Sequence, residues 1–341
     1  MTGLRVTEVR TDDVETYWEA VSAGDERGCQ ALVDDLLARG VSVVDIFSGL
    51  VIPIQQQVGE RWANNDWTVA HEHAATAISE AVVTRLGAGI PEPSTDERPL
   101  LVTCVEREWH ALPALVVTHT LRSWGRPVHY LGANVSPETV VGRIIDLGPR
   151  AVLVSASLSS SLPRVRRLIE AVCGTGTPVI LGGRAFDPGG VRAARLGGTA
   201  YAPDMERLSG VLADLPGHVS PAAPLRHPGV GEALSILAAA DEISRDVIRG
   251  SGVDLGSAGT PAAMPPDDWR VVLSTYVPHV IGCVVGGLLT EDPTVPGEAR
   301  SWLTVVLELR GGDADTVDHL WKALARRLRE YPEAVRLLKH S

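Results

Sequence analysis

The sequence predicts a four-helix bundle, then a doubly wound parallel α/β domain, then a second all-helical domain. Three observations carry this expectation. Apolar residues recur at threes and fours from about residue 11 to 88. Short β-branched runs alternate with amphipathic segments from about 98 to 217, and helical periodicity returns from about 228 to 341. A chain of 341 residues is also too long for one ordinary core.

The first unit, 1–90, reads as helices through ALVDDLLARG, VSVVDIFSGLVIPIQQQVGERW and VAHEHAATAISEAVVTRL, with Gly40 ending one of them. A polar, Pro-rich stretch, Ala88 to Pro99, separates it from the second unit, 98–217. There LLVTCV, PVHYLG, AVLVSAS and PVILGG read as strands, alternating with the helical segments HALPALVVTHTLRSWG, SPETVVGRIIDLG and LPRVRRLIEAVCGTG. Alternation at this spacing means βαβ units in a parallel sheet. Ligands of such sheets bind beyond the carboxyl ends of the strands, where the loops CVEREWH, SASLSSS and GGRAF fall. A second Pro-rich passage, His218 to Gly229, precedes the third unit, 228–341, expected as four helices.

The 42 acidic residues outnumber the 31 basic ones for a net charge of -11, and no Lys/Arg block follows a face, which disfavours direct nucleic-acid binding. Four cysteines without a CxxC pair argue against a disulfide scaffold or structural zinc and fit a reducing cytoplasm. The charged amino terminus lacks the apolar core of a signal peptide, and no apolar run reaches the roughly 20 residues needed to span a bilayer. A soluble protein is therefore expected.

The chemistry concentrates in the loop Glu106 to Pro113. A carboxylate two places before a histidine, Glu108 before His110, can hydrogen-bond one imidazole nitrogen and leave the other for a metal. Glu108-x-His110, the loop Ser155-Ala156-Ser157-Leu158 and the pair Gly182-Gly183 all fall at strand ends. Together they resemble the Asp-x-His-x-x-Gly, Ser-x-Leu and Gly-Gly set of cobalamin-binding domains, whose fold is flavodoxin-like. The resemblance implies base-off binding, with the cofactor's nucleotide tail buried along the sheet and His110 as the lower axial ligand of cobalt. Two departures stand out: glutamate replaces aspartate at 108, and Pro113 stands where glycine is usual.

In the helical bundle, Trp62 is followed ten residues later by Glu72-His73. This resembles the Trp-x9-Glu-His signature of light-sensing cobalamin regulators. The resemblance implies that Trp62 shields an adenosyl group on the upper face. It implies too that Glu72 and His73 contact that group or move after photolysis, His73 then being able to replace the lost ligand. The amino-terminal helix-turn-helix of those regulators is not expected here, since helical periodicity begins near residue 11 in an acidic chain.

A cobalamin module followed by a globin-like helical unit resembles the photocobilins, which pair adenosylcobalamin with a bilin such as biliverdin. On that resemblance Trp269, Tyr276, His279, Cys283 and Trp302 are candidate bilin contacts, with a non-covalent fit favoured over attachment at Cys283. The function implied is an adenosylcobalamin-dependent photoreceptor rather than an enzyme, acting on a protein effector or through homo-oligomers, without DNA or membrane. The alternatives are a corrinoid methyl carrier serving a methyltransferase, and a passive cobalamin carrier or a partner-binding switch whose carboxyl-terminal helices only dimerise.

Overall fold

The computed structural model describes residues 8–93, 96–253, 264–313 and 315–341. The extreme amino terminus read for a signal peptide, Ser94 and Thr95 of the first linker, and Ala314 at the expected start of the last helix lie outside them. The chain divides into two compact units: Met1–Val102 with Ala111–Tyr130, and Thr103–His110 with Leu131–Ser341. The compact units cut through the first βαβ element and group the last helices with β3, β4 and β5.

In the first unit the bundle comprises α1 (Thr11–Ser22), α2 (Glu26–Ala38), α3 (Val43–Ile46), α4 (Ile52–Ala63) and α5 (Val69–Ala88). The segment expected as a single helix from Val41 is interrupted by a π-helical turn, Phe47–Val51. Pro53 lacks the N–H that the ladder needs, so the pitch relaxes just ahead of it. Tyr17, Val33, Leu36, Phe47, Leu50, Ile54, Val58 and Val82 form the core, which Leu112 and Val116 of α6 (Leu112–Ser123) join. Gly87 of α5 lies against the ring of His119 on α6, where a β carbon would collide with the imidazole. A larger residue would therefore push the two helices apart.

The sheet is parallel, with β1 (Leu100–Cys104), β2 (Val128–Tyr130), β3 (Ala151–Ser155), β4 (Val179–Gly182) and β5 (Ala200–Tyr201) in the order β2-β1-β3-β4-β5. Leu100 pairs with Val128, Ser155 with Gly182, and Ile180 with Ala200. This is the flavodoxin-like order, whose ligand crevice opens where β1 and β3 leave the sheet. β1 and β3 are buried at every residue. That explains their unbroken apolar runs, since a parallel sheet is covered on both faces.

The connecting helices of the second unit are α7 (Pro137–Leu147), α8 (Leu162–Cys173), α9 (Val191–Arg195) and α10 (Met205–Asp214), and a 3-10 turn, Ser159–Ser161, leads into α8. The sequence reading named neither α9, β5 nor α10. At five and two residues the first two are too short for periodicity to reveal.

The carboxyl-terminal region is helical: α11 (Gly229–Ala238), α12 (Ala240–Gly250), α13 (Trp269–Thr290), α14 (Thr294–Glu308), α15 (Thr316–Arg327) and α16 (Pro332–Lys339). The stretch expected as one helix from Glu232 breaks at Ala239, and nothing in its alanine-rich sequence marks that point. α13 corrects one expectation. It is 22 residues long and holds an 18-residue window with a mean hydropathy of 1.7, long and apolar enough by composition to cross a membrane. Because 67% of that window is buried inside the protein, it serves as a core helix, with Ser274, Pro278 and His279 breaking the apolar run along the chain.

Candidate functional site

Glu108 is fully buried, whereas the side chain of His110 is 53% exposed. The carboxylate accepts from Nδ1 of His110 and, at 3.3 Å, from its backbone N–H. Its other oxygen accepts the backbone N–H groups of Ser157 at 2.9 Å and Leu158 at 3.2 Å, with the Ser161 hydroxyl at 3.5 Å. Burial pushes the Glu108 pKa up, but the His110 side-chain bond and charge and the backbone N–H groups of Ser157 and His110 outweigh it, so the group titrates below the usual carboxylate range. A buried anion with this many donors is a fixed acceptor. It holds His110 by Nδ1, so Nε2 is the atom that would meet a metal.

The loop carrying this pair is itself clamped. Arg107 has φ of 61° and Asn134 has φ of 53°. The Arg107 N–H donates to Oδ1 of Asn134 at 2.7 Å, and the Asn134 N–H donates to the Glu108 carbonyl at 2.9 Å. Sequence reasoning missed Asn134 and Ser161. Asparagine in a Gly-Ala-Asn turn is a signal for left-handed backbone, but its partner lies 27 positions away. It also passed over Trp109, which is 70% exposed beside His110.

Ser155 ends β3 and is buried, while Ser157 and Leu158 donate backbone N–H groups to Glu108. The sequence reading gave the serines a role as hydroxyl donors, whereas at Ser157 the shown bond is made by the backbone. Gly183 has φ of 107°, and a β carbon there would strike the Ala156 backbone. The glycine is therefore required by the approach of the β4 loop to the β3 loop, which the Ala185 N–H to Ala156 carbonyl bond of 3.0 Å closes.

In the first unit, Trp62 is half-buried in the last turn of α4, and Glu72 and His73 lie in the first turn of α5. Thr68 caps that helix, accepting from the His71 N–H, and so fixes where the turn starts. Glu72 accepts from the Thr76 hydroxyl at 3.1 Å and pairs with Nδ1 of His73 at 2.6 Å. Gln55 of α4 donates to the same threonine at 2.7 Å, linking the two helices. His73 is 74% exposed and Glu72 24%.

Among the candidate bilin contacts, Tyr276, His279 and Trp302 come together, with ring centroids 4.8 Å apart for Tyr276 and Trp302 and 6.0 Å for each with His279. Trp269 stands two turns before Tyr276 with the Arg270 guanidinium 6.0 Å from its ring. Cys283 is 1% exposed with its sulfur 3.6 Å from Nε2 of His279, and burial pushes its thiol up to about 12. Such a thiol is no nucleophile at neutral pH.

Residues 14–86 and 98–209 match two families of B12 binding domain. The chain belongs to the cobalamin-binding proteins. A curated relative of this cobalamin-binding chain, the HTH-type transcriptional repressor CarH of Myxococcus xanthus, is 29% identical over 179 residues. The match covers 50% of this chain and 57% of that protein, so the chain spans little more than half the length of the relative it matches. The solved structure of the Methanosarcina barkeri monomethylamine corrinoid protein superposes with a TM-score of 0.51 at 19% identity, over 60% of this chain and 98% of that one. At that identity the likeness speaks for the fold alone.

The residues fit the corrinoid these domains take. A corrin supplies four equatorial nitrogens, and what it needs from a protein is one oriented axial donor. His110, half exposed and held by a buried carboxylate, has that form.

Proposed function

We propose that the protein is an adenosylcobalamin-dependent photoreceptor in which His110 is the lower ligand of cobalt. The carrying observation is the buried Glu108 carboxylate bonded to Nδ1 of a half-exposed His110. When bound, adenosylcobalamin supplies a cobalt-carbon bond that light breaks. The chain's own residues do the rest. Glu108 fixes the tautomer and orientation of His110. Trp62 offers a broad indole to cover the adenosyl group. Glu72, steered by Thr76, offers a carboxylate to ribose hydroxyls, and the exposed His73 beside it is the group to take up the vacated position.

The likeness to CarH and the Trp62, Glu72, His73 spacing support the light-sensing reading over a methyl carrier, and a conformational or assembly change, felt by a protein effector or a second copy, would be the output. The ring cluster of Tyr276, His279 and Trp302 supports a second chromophore such as biliverdin, held without a covalent bond because the Cys283 thiol is buried and protonated.

Absorption spectra of the chain loaded with adenosylcobalamin in the dark, before and after green light, test the reading. Loss of the alkylcobalamin bands with a change in hydrodynamic size supports it. An unchanged hydrodynamic size on illumination, with methyl transfer to a thiol acceptor in the dark when the chain is loaded with methylcobalamin instead, favours the methyl carrier. Titration with biliverdin tests the second chromophore through a red-shifted band.

A further inference from the structure

The turn Ser159–Ser161 has two neighbours in its unit. On one side the backbone N–H groups of Ser157 and Leu158 and the Ser161 hydroxyl hold the Glu108 carboxylate. On the other side lies α13, in contact so close that a β carbon on either facing glycine would force a neighbour to give way. A β carbon on Gly282 would stand 2.8 Å from Cβ of Ser160 and 3.0 Å from its carbonyl oxygen. One on Gly286 would stand 3.1 Å from both the Ser159 carbonyl oxygen and Cδ1 of Leu162. His279, Gly282 and Gly286 share one face of the helix by their spacing.

α13 cannot slide away from this contact freely, because its far end is tied down separately. The Arg195 guanidinium donates to the carbonyls of Thr290 and Glu291, the second at 2.9 Å, where the helix stops in a left-handed turn. Arg192, 3% exposed, bonds Asp292 at 2.8 Å and Glu298 at 2.6 Å.

We propose that α13 is a positioning element for the axial ligand, its Gly282 and Gly286 seating the Ser159–Ser161 turn so that Glu108, and through it His110, is held in place. This rests on the reading of His110 as the ligand of cobalt. Outer groups that orient a metal-binding histidine typically change affinity by about 10- to 100-fold. A side chain that levers the turn away from α13 displaces the donors to Glu108 and carries that penalty, although it touches neither residue. Reciprocity requires that cofactor binding tighten the seating of α13 by the same factor, which makes this helix the route by which the state of the site reaches the last helices.

The test compares the wild-type chain with Gly282→Ala, Gly282→Val and, as a control for helix propensity on the exposed face of α13, Thr275→Val. Affinity for cobalamin is measured by equilibrium dialysis. The paramagnetic resonance of bound cob(II)alamin is read for the threefold splitting that an axial nitrogen imposes. The proposal expects about 10- to 100-fold weaker binding and a broadened or lost splitting in Gly282→Val, a smaller loss in Gly282→Ala, and wild-type behaviour in Thr275→Val. Affinity within twofold of wild type with unchanged splitting in both glycine variants overturns it. If Gly282→Val does not fold, Gly282→Ala decides alone. A wild type without the splitting, or His110→Ala with unaltered binding and spectrum, defeats the ligand reading itself and the proposal with it.

Discussion

Glu108 and His110 share a hydrogen bond across a steep change of environment, the carboxylate wholly buried and the imidazole ring 53% exposed. The buried member is the anion. Its charge is tolerable only because Ser157, Leu158 and His110 converge on it, and the same donors fix the ring that reaches solvent.

Glu108→Gln keeps the shape but removes the charge and turns one oxygen into a donor facing backbone N–H groups. The apo chain should lose about 1–3 kcal/mol of stability, and cobalamin affinity should fall about 10- to 100-fold. Urea unfolding and equilibrium dialysis measure the two. An apo stability equal to wild type would contradict the satisfied-anion account.

His119 gives the fold an acid weakness. It is 6% exposed and its Nδ1 has no hydrogen-bond partner among the described residues. Burial first, and Arg122 second, push its pKa down to about 4 from 6.5. The unfolded chain therefore binds this proton before the folded one does, and stability falls as pH drops from about 6.5 to about 4, by up to about 1.4 kcal/mol per pH unit. His279 loses stability over the same window. Urea midpoints from neutral pH to about pH 5 should show a slope that His119→Leu reduces by one proton's worth. An unchanged slope would mean the ring is not buried as described.

Arg192 ties α9 to the last helices through Asp292 and Glu298, both in its own unit. Arg192→Leu removes the buried cation and its hydrogen bonds to the partly buried Asp292 and should cost about 1.5–3 kcal/mol. Glu298→Gln should cost about 1 kcal/mol or less, because that side chain is 56% exposed. Equal losses in thermal unfolding would show that the buried arginine is not the anchor.

Glu72 is held by Thr76 and paired with His73. If its carboxylate binds ribose hydroxyls, Glu72→Gln should lower the preference for adenosylcobalamin over methylcobalamin roughly tenfold or more, the worth of one hydrogen bond to a charged group. Competition dialysis in the dark reads this ratio, and an unchanged ratio removes Glu72 from the upper ligand's contacts.

The parallel sheet was legible because its central strands β1 and β3 are buried on both faces and so appear as the runs LLVTCV and AVLVSAS. The two Pro-rich passages were likewise visible as composition. What escaped was either short or non-local. β5 has two residues, and the π turn before Pro53 sits inside an uninterrupted apolar pattern. At the site, Glu108 and His110 stand two residues apart and were legible. Ser161 and Asn134 act from 53 and 27 positions away, and the seating of α13 against Ser160 depends on glycines whose role no local pattern reveals.

The most direct measurement is the paramagnetic resonance of cob(II)alamin bound to the chain grown with histidine labelled in heavy nitrogen. Ligation by His110 predicts that the threefold splitting of natural nitrogen becomes twofold, and that His110→Ala abolishes it. A threefold splitting that survives the label would mean that cobalt keeps the cofactor's own base, and it would contradict the account.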